Sequence, residues 1–212
     1  MKLYTFFRSS ASFRVRIALN VKGIAWDAVP VSLPKGEHAG ITFKAINPQG
    51  LVPTLDDNGR LLSQSLAIME YLDEAHPGPK LLPADPLERA YVRAFSQLIA
   101  CEIHPLNNLR VLKYLKQTYQ LDDAAVNGWY RHWIAEGFAL MEAFLLNENK
   151  HGRHIFRDQI TMADCCLVPQ VFNAQRFECD LKPYPAVMKI FDQCMELESF
   201  IAAQPAKQSD AA

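Results

Sequence analysis

Arg8-Ser9-Ser10-Ala11-Ser12 puts a guanidinium and three hydroxyls within five residues. The apolar run Leu3-Tyr4-Thr5-Phe6-Phe7 precedes them, and Phe13-Arg14-Val15-Arg16-Ile17-Ala18-Leu19 follows. Serine is a favoured N-cap residue, and Ala11, Val15, Ala18 and Leu19 recur at helical spacing. Ser9, Ser10 and Ser12 therefore mark a junction where a strand stops and a helix begins. The first turn of a helix carries unbonded N–H groups and a partial positive charge. A hydroxyl at that point can stabilise an anion set in front of it. On these residues alone, it can equally do no more than cap the helix.

Other reactive side chains narrow the field. Cys101, Cys165, Cys166, Cys179 and Cys194 make an odd number of cysteines with no CxxC pair. That predicts reduced thiols in a cytosolic protein rather than a disulfide framework. Cys165 and Cys166 fall in an expected helix without histidine neighbours and read as buried small residues. The six histidines are scattered, with no HExxH, and no metal site is expected. With 22 basic and 23 acidic residues the formal net charge is −1, so no charge excess draws nucleic acid or an anionic membrane. No stretch matches a membrane span, and no secretory leader is expected before the first strand. Half of the 212 residues are hydrophobic, enough to bury one large core or two small ones.

The elements that position these residues change character along the chain. The serine-capped helix ends near Lys22-Gly23, and Trp26 to Val31 reads as a second strand. A polar loop from Leu33 to Gly40 leads to a short helix at Ile41 to Ile46 and a turn at Asn47-Pro48-Gln49-Gly50. Val52-Pro53-Thr54-Leu55 opens a third strand, Asp57-Asn58-Gly59 is a hairpin turn, and Arg60 to Ser63 is a fourth strand. Ser65 caps a helix whose Ile68, Tyr71, Leu72 and Ala75 share one face. This alternation predicts a sheet with helices packed on it.

Pro77, Pro79, Pro83 and Pro86 then put four prolines in ten residues, a stiff connection and the expected domain boundary. Everything after it reads as helix. One helix runs from Leu87 to about Tyr119, with Pro105 as a kink. A second carries Val126, Trp129, Tyr130, Trp133, Gly137, Leu140, Met141 and Phe144 on one stripe, read as core. Thr161-Met162-Ala163-Asp164 is a capping signature for a third, which Pro169 should bend. Pro185 suits the first turn of a fourth, and the polar tail from Gln204 to Ala212 should fray.

Taken together, the chain resembles the glutathione transferases, and within them the zeta class. The resemblance rests on Ser9-Ser10-x-Ser12 with Arg14-Val15-Arg16-Ile17-Ala18-Leu19, on Asn47-Pro48-x-Gly50-x-Val52-Pro53, on Gln64-Ser65 and on Thr161-x-Ala163-Asp164. Each pattern is weak alone; four in order at these separations are strong. It implies an α/β thioredoxin-like N-terminal domain over residues 1–82, then an all-α C-terminal domain over 87–212. One position departs from the class, where Ala11 stands in place of a frequent cysteine, so no protein thiol is expected beside the site.

The resemblance also implies chemistry. Glutathione would be the cofactor, with Ser9, and secondarily Ser10, as catalytic hydroxyls. His38, Gln49, Val52, Pro53, Gln64, Ser65, His104 and Asn108 are the implied glutathione contacts, with Pro53 in the cis form. Arg8, Arg110 and Arg176 are implied to lie near the substrate. Three arginines suit a dicarboxylate better than an apolar electrophile, because guanidinium pairs bidentately with carboxylate. Arg14 and Arg16 flank buried positions and are read as structural. The implied activity is cis–trans isomerisation of maleylacetoacetate to fumarylacetoacetate. The alternatives are the same reaction on maleylpyruvate, or general conjugation of haloacids. A cytoplasmic homodimer is implied, with no nucleic-acid or membrane partner.

Overall fold

The computed structural model describes residues 1–211. It separates into two units, Met1–Leu82 with the segment from Met195 on, and Pro83–Cys194.

The first unit is built on a four-stranded sheet in the order β2-β1-β3-β4. β1 (Lys2–Thr5) pairs parallel with β2 (Asp27–Pro30) and antiparallel with β3 (Thr54–Asp57), which pairs antiparallel with β4 (Arg60–Ser63). Register sets Leu3 opposite Ala28 and Leu55, and Tyr4 opposite Val29 and Thr54. Alternation along β1 sends Leu3 and Thr5 to one face and Tyr4 to the other. Tyr4 meets Phe43 of α2 (Ile41–Ile46) edge-on at 5.9 Å, within a cluster of Phe6, Val31, Phe43 and Val52. Helix α1 (Ser10–Val21) reaches Thr5 through Arg16 and packs on α3 (Ser65–Ala75). The hairpin between β3 and β4 turns through Asn58 and Gly59, both at positive φ, which suits Asn-Gly.

α1 is buried from Ser12 to Leu19, and that includes Arg14 and Arg16, at 2% and 0% exposure. Gly23 ends the helix at φ +65, with its N–H on Asn20 and that of Ile24 on Leu19, a Schellman closure. Burial pulls the Arg16 guanidinium down to about 10, opposed by the charge of Asp210, so it stays protonated at neutral pH. The prolines after α3 are fixed by Asp73, whose carboxylate accepts the Leu81 N–H at 2.7 Å and faces Lys22 Nζ at 3.4 Å.

The tail expected to fray from Gln204 is instead held through Asp210; Ala212 lies outside the described residues. From Met195 the chain groups with the first unit, through α9 (Glu198–Ile201) packed on α1, with Phe200, Ala203 and Pro205 buried. The expected domain 87–212 therefore differs at its end from the second unit. Phe200 and Ala203, which precede the stretch expected to fray, and Pro205 within it anchor the segment.

The second unit is helical among its described residues. α4 (Pro86–Gln97) starts on the Asp85 cap, with Pro86 in the first turn. The long helix expected through Tyr119 is instead two. α4 widens into a π-helical turn at Leu98–Ile103, the chain breaks at Pro105, and Asn108 caps α5 (Leu109–Thr118). His104 keeps helical backbone at φ −58 and ψ −42, but Pro105 after it has no N–H to continue the ladder, so the helix ends there and restarts at the Asn108 cap. Gly137 of α6 (Asp123–Glu148) lets Ile103 pack closely, since a Cβ there would stand 2.3 Å from its side chain. The buried stripe of α6 is Val126, Tyr130, Ile134, Gly137, Phe138, Met141 and Leu145, whereas Leu140, expected in the core, is 56% exposed. Glu142 accepts the Ala186 and Val187 N–H groups at 2.9 Å each and so anchors the start of α8 (Pro185–Cys194).

α7 (Met162–Arg176) begins with the expected capping box. Asp164, fully buried, accepts from Thr161 N (2.8 Å), Thr161 Oγ1 (2.9 Å) and Ile155 N (2.9 Å). Asp164→Ala should destabilise the protein by about 3 kcal/mol, a lost cap plus buried N–H groups without acceptors. Denaturant midpoints check this, with Thr161→Ala costing less.

Candidate active site

In the first unit the strand-to-helix junction has the geometry its serines imply. Ser9 is the N-cap of α1, and its Oγ accepts the Ser12 N–H at 3.2 Å. Its own N–H donates to Phe6 O at 2.9 Å, which closes the β1–α1 loop. Ser10 is buried just inside the helix. Arg8 is exposed, with its guanidinium 5.0 Å from the Phe7 ring and 5.9 Å from that of Phe6. A lone pair of Ser9 is taken by the helix, so the hydroxyl proton is left to point at an anion.

The Val52–Pro53 bond is cis. Val52 is buried, yet among the described residues neither its N–H nor its C=O pairs with another backbone group. Asn47 holds this loop: its Nδ2 donates to Leu51 O (2.9 Å) and Thr54 Oγ1 (3.0 Å), and its Oδ1 accepts from Gln49 N (3.1 Å). Gly50 sits at φ +63, where a Cβ would stand 2.9 Å from His38 O, so glycine is needed to bring His38 against the loop. Gln49 in turn accepts from Gln64 Nε2 at 3.0 Å.

Gln64 precedes α3 at φ +70, a strained setting for a residue with a Cβ. Ser65 follows as the first residue of α3, buried, and its Oγ accepts from Arg14 Nη1 at 3.2 Å. A buried guanidinium beneath a hydroxyl at a helix N-terminus makes this point attractive to a carboxylate. His38, Gln49, Gln64 and Ser65 are thus joined in one continuous set with Arg14. Arg14 was expected to be structural, and no sequence signal separated it from Arg16.

In the second unit, His104 ends the π-helical turn. Asn108 Oδ1 accepts from Arg110 N at 3.1 Å, so its carboxamide oxygen serves as the α5 cap. Arg110 is exposed in the first turn of α5. Arg176 ends α7 and has a mount that the sequence did not reveal. Its guanidinium lies 4.8 Å from the Phe177 ring, which stacks on Tyr130 at 3.6 Å. Burial pushes the Tyr130 phenol up to about 12, and the charge of nearby Arg176 pulls the other way. Tyr130 had read as one more aromatic of the α6 stripe.

One set of metal-ligating types meets among the described residues, His154, Asp164 and Cys194. Both Asp164 oxygens already accept backbone N–H groups, and all three residues are buried. Burial also raises the Cys165 and Cys194 thiols well above their ordinary range, away from the thiolate form. No disulfide forms among the described residues.

A family model for the glutathione S-transferase N-terminal domain matches residues 3–80. Maleylpyruvate isomerase of Ralstonia sp is 50% identical over 212 residues, covering 100% of both chains. The holo structure of a maleylpyruvate isomerase, described as a bacterial zeta-class glutathione S-transferase, superposes with a TM-score of 0.98 at 50% identity and 100% of both chains. Maleylacetoacetate isomerase from Methylobacterium extorquens, solved with bound malonate and glutathione, gives 0.97 at 39% identity, again over 100% of both. With likeness of that degree running end to end, the chain belongs to the zeta class of the glutathione transferase family.

Proposed function

We propose that this protein is a glutathione-dependent cis–trans isomerase that converts maleylacetoacetate to fumarylacetoacetate. The observation that carries the reading is the full-length maleylacetoacetate isomerase relative holding glutathione together with a dicarboxylate. The residues present fit the tripeptide. The buried, unpaired Val52 backbone suits an extended cysteinyl residue. Gln64, Ser65 and the start of α3, with Arg14 beneath, suit the γ-glutamyl carboxylate. His38 and Gln49 are assigned to the glycyl end, and Pro53, His104 and Asn108 complete the proposed glutathione contacts.

Bound glutathione supplies a thiolate that adds reversibly to the activated double bond, which can then rotate before the sulfur leaves. A free thiol has a pKa of ~8.5 and is mostly protonated at neutral pH. Ser9 donates its proton toward the sulfur while the α1 N-terminus adds positive potential, and both favour the ionised form. Ser10 plays the lesser part. Arg8, Arg110 and Arg176 hold the carboxylates of the substrate and offset charge gathering on its keto oxygen. The same residues would serve maleylpyruvate, a reading favoured by the relative at 50% identity. Comparing kcat/KM for the two acids decides between them.

A cytoplasmic setting and a homodimer belong to the same proposal. The setting is supported by cysteines that form no disulfide, and no helix among the described residues is long and apolar enough to cross a membrane. Light scattering should give about twice the 24.0 kDa chain mass; a value at the chain mass removes the dimer.

Ser9→Ala should lower isomerase turnover by about 10²-fold, roughly 2.7 kcal/mol of lost stabilisation. Ser10→Ala should cost less. The ultraviolet absorbance of bound thiolate should fall in Ser9→Ala; if it is unchanged, the role lies elsewhere.

Arg8→Ala and Arg176→Ala should each raise KM for the maleyl keto acid steeply, since a carboxylate left unpaired costs roughly 2–5 kcal/mol. Arg110→Ala should act in the same sense but more weakly. Conjugation of a neutral aryl halide should be nearly intact in all three. Equal losses on both substrates would remove the dicarboxylate assignment.

A further inference from the structure

The segment from Met195 on returns to the first unit and ends against the β1–α1 loop. Asn20 Nδ2 donates to Ser199 O at 3.0 Å, and Arg16 Nε donates to Ala203 O at 3.0 Å. The rest of the Arg16 guanidinium is turned to the loop. Nη1 donates to Thr5 Oγ1 (3.1 Å) and Phe6 O (3.5 Å), and Nη2 donates to Phe7 O (3.0 Å). Seven residues beyond Ala203, Asp210 Oδ2 accepts the Phe7 N–H at 2.9 Å, 203 residues away along the chain.

Phe7 is therefore held on both sides, its N–H by Asp210 and its C=O by Arg16. Those are the two peptide groups that lead into Arg8. The Phe6 carbonyl, also on Arg16, is the acceptor for the Ser9 N–H at 2.9 Å. The rings of Phe6 and Phe7 are the surface on which the Arg8 guanidinium rests. Three hydrogen bonds to the loop carrying Arg8 and Ser9 thus lead back to one buried guanidinium and one carboxylate. The carboxylate also offsets the charge of the guanidinium.

We propose that Asp210 and Arg16, anchored by the tail from Ala203 to Asp210, are positioning residues that set Ser9 and Arg8 for the reaction. This rests on the isomerase reading given above. Asp210 lies in a polar stretch near the end of the sequence and touches no reacting atom. Its effect passes through the Phe7 peptide, and small displacements of a catalytic group are costly in rate.

The test compares Asp210→Ala, Asp210→Asn, Asp210→Glu and Ser9→Ala in the full-length protein. It measures kcat/KM for the maleyl keto acid, the pH at which bound glutathione develops thiolate absorbance, and the melting temperature. Asp210→Ala should lose about tenfold in kcat/KM, with the thiolate profile moved to higher pH. Asp210→Asn keeps an acceptor for Phe7 and should lose less, and Asp210→Glu should recover part of the loss. A lower melting temperature with an unmoved thiolate profile and kcat/KM within about twofold of the parent would make the tail merely structural and overturn the proposal. In that case Ser9→Ala would still be impaired, and the isomerase reading would stand. Full activity in Ser9→Ala would take Ser9 out of the reaction and overturn this proposal, whereas a parent protein that does not turn over the maleyl keto acid would overturn the isomerase reading. If Asp210→Ala does not fold, Asp210→Ser, whose shorter side chain withdraws the acceptor from the Phe7 N–H, carries the same criteria: a shifted profile supports the proposal, and an unshifted one ends it.

Discussion

Two guanidinium groups are buried in a single helix, and the first unit brings hydrogen-bond acceptors to each of them. Taking such a charge out of water is expensive unless hydrogen bonds replace the lost hydration. Arg16 finds its acceptors in the Phe6 and Phe7 carbonyls, the Thr5 hydroxyl and the Ala203 carbonyl. Arg14 turns toward the start of α3 and donates to Ser65. One helix thereby ties its own N-terminal loop, the neighbouring helix N-terminus and the chain's last segment into one framework. The two places where an anion is best accommodated, the caps of α1 and α3, are the two places these side chains reach.

The loop between α2 and β3 completes that framework with neutral groups. Asn47 spans the loop from Gln49 to Thr54 with three hydrogen bonds, which leaves the Val52 backbone edge bare. A bare, buried backbone edge is uncommon, because such groups are nearly always paired. It is a ready template for an extended peptide, and glutathione is one. The arginines proposed for the substrate obey a different logic. Arg8 and Arg176 each rest on an aromatic ring, which orients the fork.

Much of this was legible in the residues. Serines before a helical repeat, an Asn-Gly hairpin and a proline-dense linker each correspond to an element where expected, because local rules decide them. The capping box at Thr161 and Asp164 is local too. What escaped notice was non-local. Arg14 and Arg16 were expected to be structural, but the acceptors that hold them, up to 187 residues away, have no signature beside them in the sequence. Tyr130 looks like core, and its nearness to Arg176 at the end of another helix has no signature at its own position. The break after the π-helical turn was visible as Pro105 but understated as a kink. The tail from Gln204 was misjudged because its hold on Phe7 runs through Asp210, a polar residue 203 positions away whose partner no local rule reveals.

The return of the tail bears on how the molecule is made. A ribosome releases the sheet and α1 first, and domains commonly fold in that order. Here the guanidinium of Arg16 lacks its Ala203 acceptor, and the Phe7 amide lacks Asp210, until the ribosome has added residues 203 and 210. The nascent N-terminal unit can form its sheet early but leaves one wall unfinished. Completion of the loop that bears Ser9 is therefore tied to synthesis of the segment from Ala203 to Asp210, and a chain that terminates before it emerges with that loop unsecured.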